Sequence, residues 1–453
     1  MGLVICNLGF VLALLTARRS LTAGLGSVLT VGYLYGILRA NFLDTYAPFL
    51  FDAPVLGFYL GVLLRPPPAS VQARAAALRY WLLVLAGWTA VMFSLPLQHP
   101  LIQLVGLRGN AFLLPFLLVG GWLQGADAGR LSVWLAALNV LAVGFAVAEF
   151  VVGVPAFYPQ NGVTELIYNS NDVAGYTALR IPATFANAHA YAGTMVSSIP
   201  WLVGALVQRG RRWWARGLLL VGIAAALLGV FFTATRVGIV LLCVLVLVTT
   251  VSGRLRGASW LGWIVMLAGV AYFVSAEERM QRFLTLFNTE EVLERVEGSV
   301  NLSFLELLSR YPMGNGLGAG GTSIPFFLQG LITNPVGLEN EYSRILLEQG
   351  VVGLALWGAF IAWIFTRPTP PRGAPWWLGW RLLWYAAAGN FALAVLGTGL
   401  MTAIPMTVLL FLSLGFMATY LPAPSPSTTV AVGGRNTVRG PGDGCVGRTV
   451  LAH

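Results

Sequence analysis

Long apolar segments alternate with short polar connectors along almost the whole chain. A helix that crosses a bilayer needs about 20 predominantly apolar residues. By this criterion the sequence predicts twelve or thirteen membrane-spanning helices, because the first segment is short and the last two nearly adjoin. The predicted spans are residues 2–16, 21–38, 47–64, 79–95, 104–124, 131–152, 188–207, 214–232, 237–252, 258–275, 344–366, 378–398 and 401–420. The predicted fold is an all-α, polytopic membrane helix bundle.

Arginine is concentrated in the odd-numbered connectors between these spans and in the C-terminal tail. The residues are Arg18, Arg19, Arg65, Arg74, Arg79, Arg209, Arg211, Arg212, Arg216, Arg254, Arg256, Arg367, Arg372, Arg435, Arg439 and Arg448. Since positively charged connectors stay on the cytoplasmic side, these connectors and the C-terminus are predicted to be cytoplasmic. The even-numbered connectors then face the periplasm or the cell exterior. The N-terminus lacks a charged region before its apolar run, so we interpret it as a retained first helix and not as a signal peptide.

Two even-numbered connectors are too long to be turns. Residues 153–187 follow the sixth predicted span, and residues 276–343 follow the tenth. Long ordered connectors are usually functional, and the apolar spacing in the second predicts one or two short amphipathic helices. Residues 1–420 are predicted to form one integral membrane domain. The Pro-, Ser- and Gly-rich residues 421–453 are predicted to be a disordered cytoplasmic tail.

Composition supports the membrane interpretation. Hydrophobic residues make up 57% of the 453 residues and charged residues 10%, with a mean hydropathy of +0.77, whereas soluble domains carry about 25% charged residues. The net charge of +10 would indicate nucleic-acid binding in a soluble protein. Here most of the arginines lie in the short connectors between apolar segments, which is typical of membrane topology. The three cysteines and three histidines are scattered, so we expect no metal site, no cofactor and no disulfide framework.

Three charged residues near predicted membrane boundaries on the outer face are candidate site residues: Arg180, Arg236 and Glu339. An arginine in or near hydrocarbon costs several kcal/mol, so it usually has a partner or a ligand. For Arg236 the alternative is a snorkelling interfacial residue, and for Glu339 a carboxylate at a helix N-terminus. For Arg180 the alternative is an ion pair with Glu165 or Asp172.

Together these residues suit a diphosphate ligand. Guanidinium groups bind phosphate oxygens bidentately, and a nearby carboxylate is able to act as general base on a sugar hydroxyl. The Gly-rich residues 314–321, which include Gly316, would let the backbone approach a ligand closely. They lack the Lys-Ser/Thr of a nucleotide P-loop, and simple loop flexibility is the alternative interpretation.

Four short segments follow one another along the chain and together form a candidate motif set. They are Arg180-Ile-Pro-Ala-Thr-Phe185, Thr235-Arg236, Pro312-Met-Gly314-Asn-Gly316, and Glu339-Asn340 followed after nine residues by Gly350-Val-Val-Gly353. With about a dozen spans and two long outer loops, this layout resembles the O-antigen ligase and O-antigen polymerase superfamily over roughly residues 100–370. The ligase motif has histidine where this chain has Glu339.

That resemblance implies a membrane glycosyltransferase that acts on undecaprenyl-diphosphate-linked glycans without a metal and with inversion. In the ligases the missing histidine activates the acceptor, so Glu339 favours the polymerase branch and takes the role of base. The implied catalytic residues are Glu339, Arg236 and Arg180. The implied substrate-binding residues are Arg295, Arg310 as its alternative, Asn340, Gly316 and His189.

Three functions stay open at this stage. The leading hypothesis is a surface polysaccharide polymerase of the bacterial inner membrane, with its active site facing the periplasm. Its partners would be the lipid-linked glycan, the bilayer and a chain-length regulator, but no nucleic acid. The alternatives are a ligase that attaches finished polymer to lipid A–core or protein, and a secondary transporter. Transporters hold polar groups near the bilayer midplane and often have repeated halves, which this sequence lacks.

Overall fold

A computed structural model describes residues 1–42, 46–159, 180–252, 263–264, 267–269, 303–321, 324–338, 340–397 and 399–420. Helices occupy twelve of the thirteen predicted spans, and the span at 258–275 lies almost entirely outside the described residues. The helices are α1 Gly2–Arg19, α2 Leu21–Asn41, α3 Asp52–Leu64, α4 Ala69–Arg74, α5 Ala76–Ser94, α6 Pro100–Ala111, α7 Phe116–Trp122, α8 Gly125–Val152, α9 Ala188–Leu206, α10 Trp213–Phe232, α11 Arg236–Val251, α12 Ser303–Arg310, α13 Glu341–Phe365, α14 Trp377–Leu393 and α15 Met406–Thr419. Three 3₁₀ turns lie at Ala47–Phe49, Val154–Ala156 and Phe326–Leu331.

The predicted all-α polytopic bundle is confirmed. Within the described residues, eight helical segments are long and apolar enough to cross a membrane, and α11 and α15 are shorter apolar helices. The described residues contain no β-strand. In hydrocarbon the backbone must satisfy its own hydrogen bonds, which a helix does within one segment. The chain is therefore a multi-pass membrane protein. The predicted tail, residues 421–453, lies outside the described residues.

The helices divide into a central pair and a lipid-facing periphery. In α9, 16 of 19 residues are buried, and in α15, 13 of 14. By contrast, only four of the 18 residues of α1 are buried, and its exposed face carries Leu8 and Leu12, which are 65% and 53% exposed. Lipid tails are as apolar as leucine, so this exposed surface has no cost in a bilayer.

Small residues allow the helices to approach closely. Gly57 and Gly61 of α3 form a Gly-x-x-x-Gly pair against α1, and a Cβ atom at Gly61 would lie 2.7 Å from the Cβ atom of Ala17. Polar side chains then join the helices inside the bundle. Asn139 of α8 accepts a 2.8 Å hydrogen bond from Tyr33 of α2 and donates one of 2.8 Å to Ser198 of α9. In lipid the hydrophobic effect does not drive helices together, so close packing and hydrogen bonds of this kind stabilise their association.

The two long connectors return to the bundle at the same end, which we call the connector end: α8 ends there at Val152, and α9 and α13 begin there. The last residues of the first connector lie across α2 and α8. Ile37 N–H donates to the Thr184 carbonyl at 3.1 Å, and Ala183 N–H donates to Glu149 Oε2 at 2.8 Å. The crossing is possible because α2 has Gly36 at the point of contact.

One short helix of the second connector is described, and it is amphipathic as predicted. This helix, α12, buries Leu307 in a small cluster with Leu346 and Leu347 of α13, while Leu305 on its other face is 62% exposed. The rest of the second connector between residues 276 and 302 lies outside the described residues.

Gly36→Ala should destabilise the protein, because an added Cβ atom would lie 1.9 Å from the Phe185 carbonyl carbon. Overpacking of this kind costs about 1–3 kcal/mol, and the segment that carries Arg180 would have to move. The check is the apparent Tm of the purified protein in detergent. Gly87→Ala in α5 is the matched control, because nothing lies within 4 Å of its Cβ position. Equal Tm values for the two variants would contradict the crossing described here.

Candidate functional site

A cluster of charged side chains is buried in the first two turns of α13. Arg344 is fully buried and donates from Nη2 to Glu341 Oε1 at 2.7 Å and from Nη1 to Glu348 Oε2 at 2.7 Å. Its Nε donates to Glu341 Oε1 at 3.0 Å. The three residues follow i, i+3 and i, i+4 helical spacing, which places them on one face of the helix.

Amide side chains and a backbone group complete this network. Asn110 of α6 donates to Glu348 Oε2 at 2.7 Å and accepts from Arg344 Nη1 at 3.0 Å and from Gln349 Nε2 at 2.9 Å. Gly399 N–H donates to Glu341 Oε2 at 2.8 Å. Removing charges from water is costly unless they are paired and hydrogen-bonded. The network therefore ties α13 to α6 and to the connector between α14 and α15.

Helix α13 is broken at Gly350, directly after the network. Gly350 has φ +68° and ψ −174°, a conformation available to glycine at little cost. The residues Pro312–Gly316 fill the break: Val351 N–H donates to the Pro312 carbonyl at 2.9 Å, and Asn315 N–H donates to the Leu347 carbonyl at 2.6 Å. A Cβ atom at Gly350 would lie 2.6 Å from the Met313 carbonyl carbon. Two of the four segments singled out in the sequence thus pack directly on each other.

The same Gly-rich turn is fastened to the connector between α5 and α6. Gln98 donates to the carbonyls of Asn315 and Thr333, at 2.8 and 2.9 Å, and accepts from Thr333 N–H at 2.8 Å. Gly316 has φ +95°, and a Cβ atom there would lie 2.8 Å from the Leu97 Cβ atom. Gly316 is therefore needed for close backbone packing, whatever its part in binding.

A second group of side chains lies where α9 begins. Arg180 Nη1 and His189 Nε2 are 2.8 Å apart, which joins two of the predicted site residues. Glu149 of α8, which binds the backbone of Ala183 three residues after Arg180, is 1% exposed. Its Oε2 accepts from Ala183 N–H, whereas its Oε1 is buried without a hydrogen-bond partner among the described residues. Arg180 is half-buried and His189 is exposed, so a ligand at this end of the bundle is able to reach both.

Arg236 belongs to the same corner of the bundle, and we call Arg180, His189 and Arg236 together the arginine corner. It begins α11 after a tight hairpin in which Ala234 has φ +48° and the hydroxyls of Thr233 and Thr235 are 3.0 Å apart. A Cβ atom at Gly238 would lie 3.3 Å from the Cβ atom of Ala192. The first turn of α11 therefore packs on α9, three residues beyond His189.

The connector between α14 and α15 runs between the two groups. At one end, Glu341 N–H donates to the Ala394 carbonyl at 2.9 Å. At the other end, Met406 packs closely on α9. Its Sδ would lie 2.2 Å from a Cβ atom added at Gly193, one turn of α9 beyond His189. This connector therefore joins the start of α13 to α9, four residues beyond His189.

The remaining predicted site residues have separate outcomes. Asn340 caps α13, since its Oδ1 accepts from Ser343 N–H at 2.6 Å. Arg310 ends α12 as an exposed side chain, with its guanidinium 5.6 Å from the centre of the Tyr311 ring. Glu339 and Arg295 lie outside the described residues, so their roles stay predictions.

Glu149 and the network around Arg344 were not predicted from the sequence. The spacing of Glu341, Arg344 and Glu348 was a usable signal, because it places one glutamate on each side of an arginine along one helix face. Asn110 gives no such signal, since it lies 234 residues before Arg344 in the chain. Glu149 stands near the end of a long apolar helix, where a carboxylate is unusual.

No known protein-family model matches the chain, and no characterised protein has a significantly similar sequence. The resemblance to polysaccharide polymerases and ligases therefore depends on the four short segments and on how they are arranged.

Arg344→Met should lower stability strongly, because it leaves two buried carboxylates without their cation. Breaking a buried ion pair by removing one partner costs about 3–5 kcal/mol. The measurement is again the apparent Tm in detergent. The control is Arg130→Gln, which removes an i, i+3 ion pair to Asp127 of 3.4 Å whose arginine is 67% exposed and should change the Tm little. Adding Glu341→Gln and Glu348→Gln to Arg344→Met should restore part of the loss. A wild-type Tm for Arg344→Met alone would contradict a structural role for the network.

Proposed function

We propose that the protein is a polysaccharide polymerase of the bacterial inner membrane, with its active site at the connector end facing the periplasm. It would transfer a growing glycan from undecaprenyl diphosphate to the terminal sugar hydroxyl of another lipid-linked repeat unit. The observation that carries the proposal is the packing of Pro312–Gly316 into the break at Gly350. Two of the segments on which the resemblance depends are separated in sequence, yet they pack on each other. This packing requires the glycines of both segments.

The arginine corner supports the binding of a diphosphate. Arg180 and Arg236 lie on segments that meet at the start of α9, and both are half-buried. Low-dielectric surroundings strengthen the attraction between guanidinium and phosphate groups. Such groups stabilise a leaving diphosphate when they are positioned before the reaction begins. His189, 2.8 Å from Arg180, holds that guanidinium in place.

The proposed reaction is a single displacement. The acceptor hydroxyl oxygen attacks the anomeric carbon of the donor sugar while the bond from that carbon to the diphosphate oxygen breaks. The electron pair leaves with undecaprenyl diphosphate, whose charge Arg180 and Arg236 stabilise. The hydroxyl proton passes to the carboxylate of Glu339. Glu341 is less suited to this role, because both of its oxygens already accept hydrogen bonds, from Arg344 and from Gly399.

Arg236→Ala should reduce polymer formation by about 100-fold or more, the usual effect of removing one preorganised charge-stabilising donor. The assay uses purified protein in liposomes with lipid-linked repeat units and follows the ladder of chain lengths. Arg236→Lys should retain part of the activity, since the charge stays but the bidentate fork is lost. Arg74→Ala, an exposed arginine of α4, is the control and should give the wild-type ladder. If Arg236→Ala and Glu339→Gln both give it too, the mechanism is wrong.

The same assay separates polymerase from ligase. A polymerase extends chains when lipid-linked repeat units are the only sugar substrate. A ligase leaves them unchanged and transfers glycan only after lipid A–core or an acceptor protein is added. Chain growth in the first mixture supports the proposal, and transfer confined to the second would replace it with the ligase alternative.

A secondary transporter is the second candidate, and the break in α13 beside buried charges favours it. Transporters combine broken helices with polar groups near the bilayer midplane. Here Glu348 lies seven residues from the start of α13, about 10 Å along the helix, and so nearer to one end than to the middle. Saturable solute uptake by liposomes that contain the purified protein would support transport.

A further inference from the structure

A cavity opens at the end of the bundle opposite the connector end. Its volume is about 510 Å³, and it lies where α2, α8 and α10 begin. The residues that give it chemical character are Thr22, Arg130, Trp134, Arg211, Arg212 and Trp214. Arg180, His189 and Arg236 lie at the connector end, so this cavity needs a separate explanation.

Three helix N-termini lie beside the cavity. The first turns of α2, α8 and α10 all contribute lining residues. Side chains cap α2, through Ser20, and α8, through Gln124 and Asp127, but α10 has no side-chain cap. The first N–H groups of a helix have no partner within the helix, and together with the helix dipole they favour a bound anion.

Arginine side chains increase the positive charge of the cavity. Arg130 pairs with Asp127 at 3.4 Å. Within the described part of the chain, no carboxylate lies within 4 Å of Arg211 or Arg212. The lining therefore carries three arginines and no acidic residue, and Arg211 and Arg212 keep two positive charges next to a helix N-terminus without a side-chain cap even when Arg130 is neutralised by Asp127.

Arg211 is held in place by the backbone of α8. Its Nη1 donates to the Gly129 carbonyl at 3.2 Å, and a Cβ atom at Gly129 would lie 2.1 Å from Nη2. Burial lowers the pKa of the Arg211 guanidinium from its ordinary value, yet an arginine stays protonated in a protein. Its Nε is buried without a hydrogen-bond partner among the described residues. A preorganised, partly buried cation of this kind suits an anion with several oxygens.

The surroundings of the cavity indicate that this anion belongs to a lipid. Trp134 and Trp214 are 46% and 47% exposed, and tryptophan is enriched where membrane meets water. Beyond them, Leu141 of α8 and Leu220 of α10 are 42% and 55% exposed, so apolar surface continues along both helices. Basic pockets between membrane helices bind anionic lipid head groups.

We propose that this cavity binds the phosphate of an anionic phospholipid, with Arg211 and Arg212 on the phosphate oxygens and the acyl chains along α8 and α10. The N–H groups at the start of α10, which no side chain caps, would donate hydrogen bonds to the remaining phosphate oxygens. The site is separate from the proposed active site and does not depend on the proposed function.

The test is native mass spectrometry of the purified full-length protein in detergent with added phosphatidylglycerol, phosphatidylcholine or inorganic phosphate. Wild-type protein should retain phosphatidylglycerol at least about tenfold better than phosphatidylcholine, and inorganic phosphate should not displace it. Arg211→Gln with Arg212→Gln should reduce retention about tenfold or more, since a charge-assisted hydrogen bond contributes a factor of this order. Arg74→Gln, another exposed arginine at this end, should have no effect.

Two further variants keep the test decisive if the double variant is unstable. Arg212 is exposed, so Arg212→Gln alone should fold and still weaken retention. Gly129→Ala should displace the Arg211 guanidinium and weaken it as well. Equal retention of the two lipids, or full retention by Arg212→Gln and Gly129→Ala, would overturn the proposal. Displacement by inorganic phosphate would show a free-phosphate site and overturn the assignment to lipid.

Discussion

The break in α13 is the constraint on which the connector end depends. A helix interrupted within a membrane protein frees backbone groups that lipid is unable to satisfy. Here they find partners in the protein: Val351 N–H donates to the Pro312 carbonyl, and the indole of Trp88 donates to the Gln349 carbonyl at 2.9 Å. The second long connector is therefore needed to complete the bundle. Its Gly-rich turn takes a fixed position because the helix break requires it.

The charged residues of this end divide into two kinds. Arg344 is fully buried, and its Nε, Nη1 and Nη2 all donate hydrogen bonds to neighbouring side chains. It therefore fixes the start of α13. Arg180 and Arg236 are half-buried at the corner beside α9, where a ligand is able to approach. The connector between α14 and α15 contacts the buried network at Glu341 and leads into Met406, which packs on α9 at Gly193.

The helices were predictable from sequence because hydrocarbon thickness sets a minimum length for every span. Their ends differ from prediction where local chemistry intervenes. The span predicted at 104–124 is interrupted between α6 and α7, where Pro115 is unable to donate the helical hydrogen bond. The span predicted at 378–398 ends at Leu393. The site was less predictable, since hydropathy does not show which polar side chains face each other: Asn110 and Glu348 are 238 residues apart in sequence.

The same limit applies to the arginines of the short connectors. In the sequence, Arg211 and Arg212 are two members of a long series that predicts which side of the membrane each connector occupies. Topology and anion binding both place arginine next to the ends of apolar helices, so composition alone is unable to separate them. Gly129 separates them here, because only a residue without a side chain lets α8 accept the Arg211 guanidinium against its backbone. The position of this glycine on the neighbouring helix becomes apparent only once the helices are packed, and it fixes the Arg211 guanidinium beside the cavity.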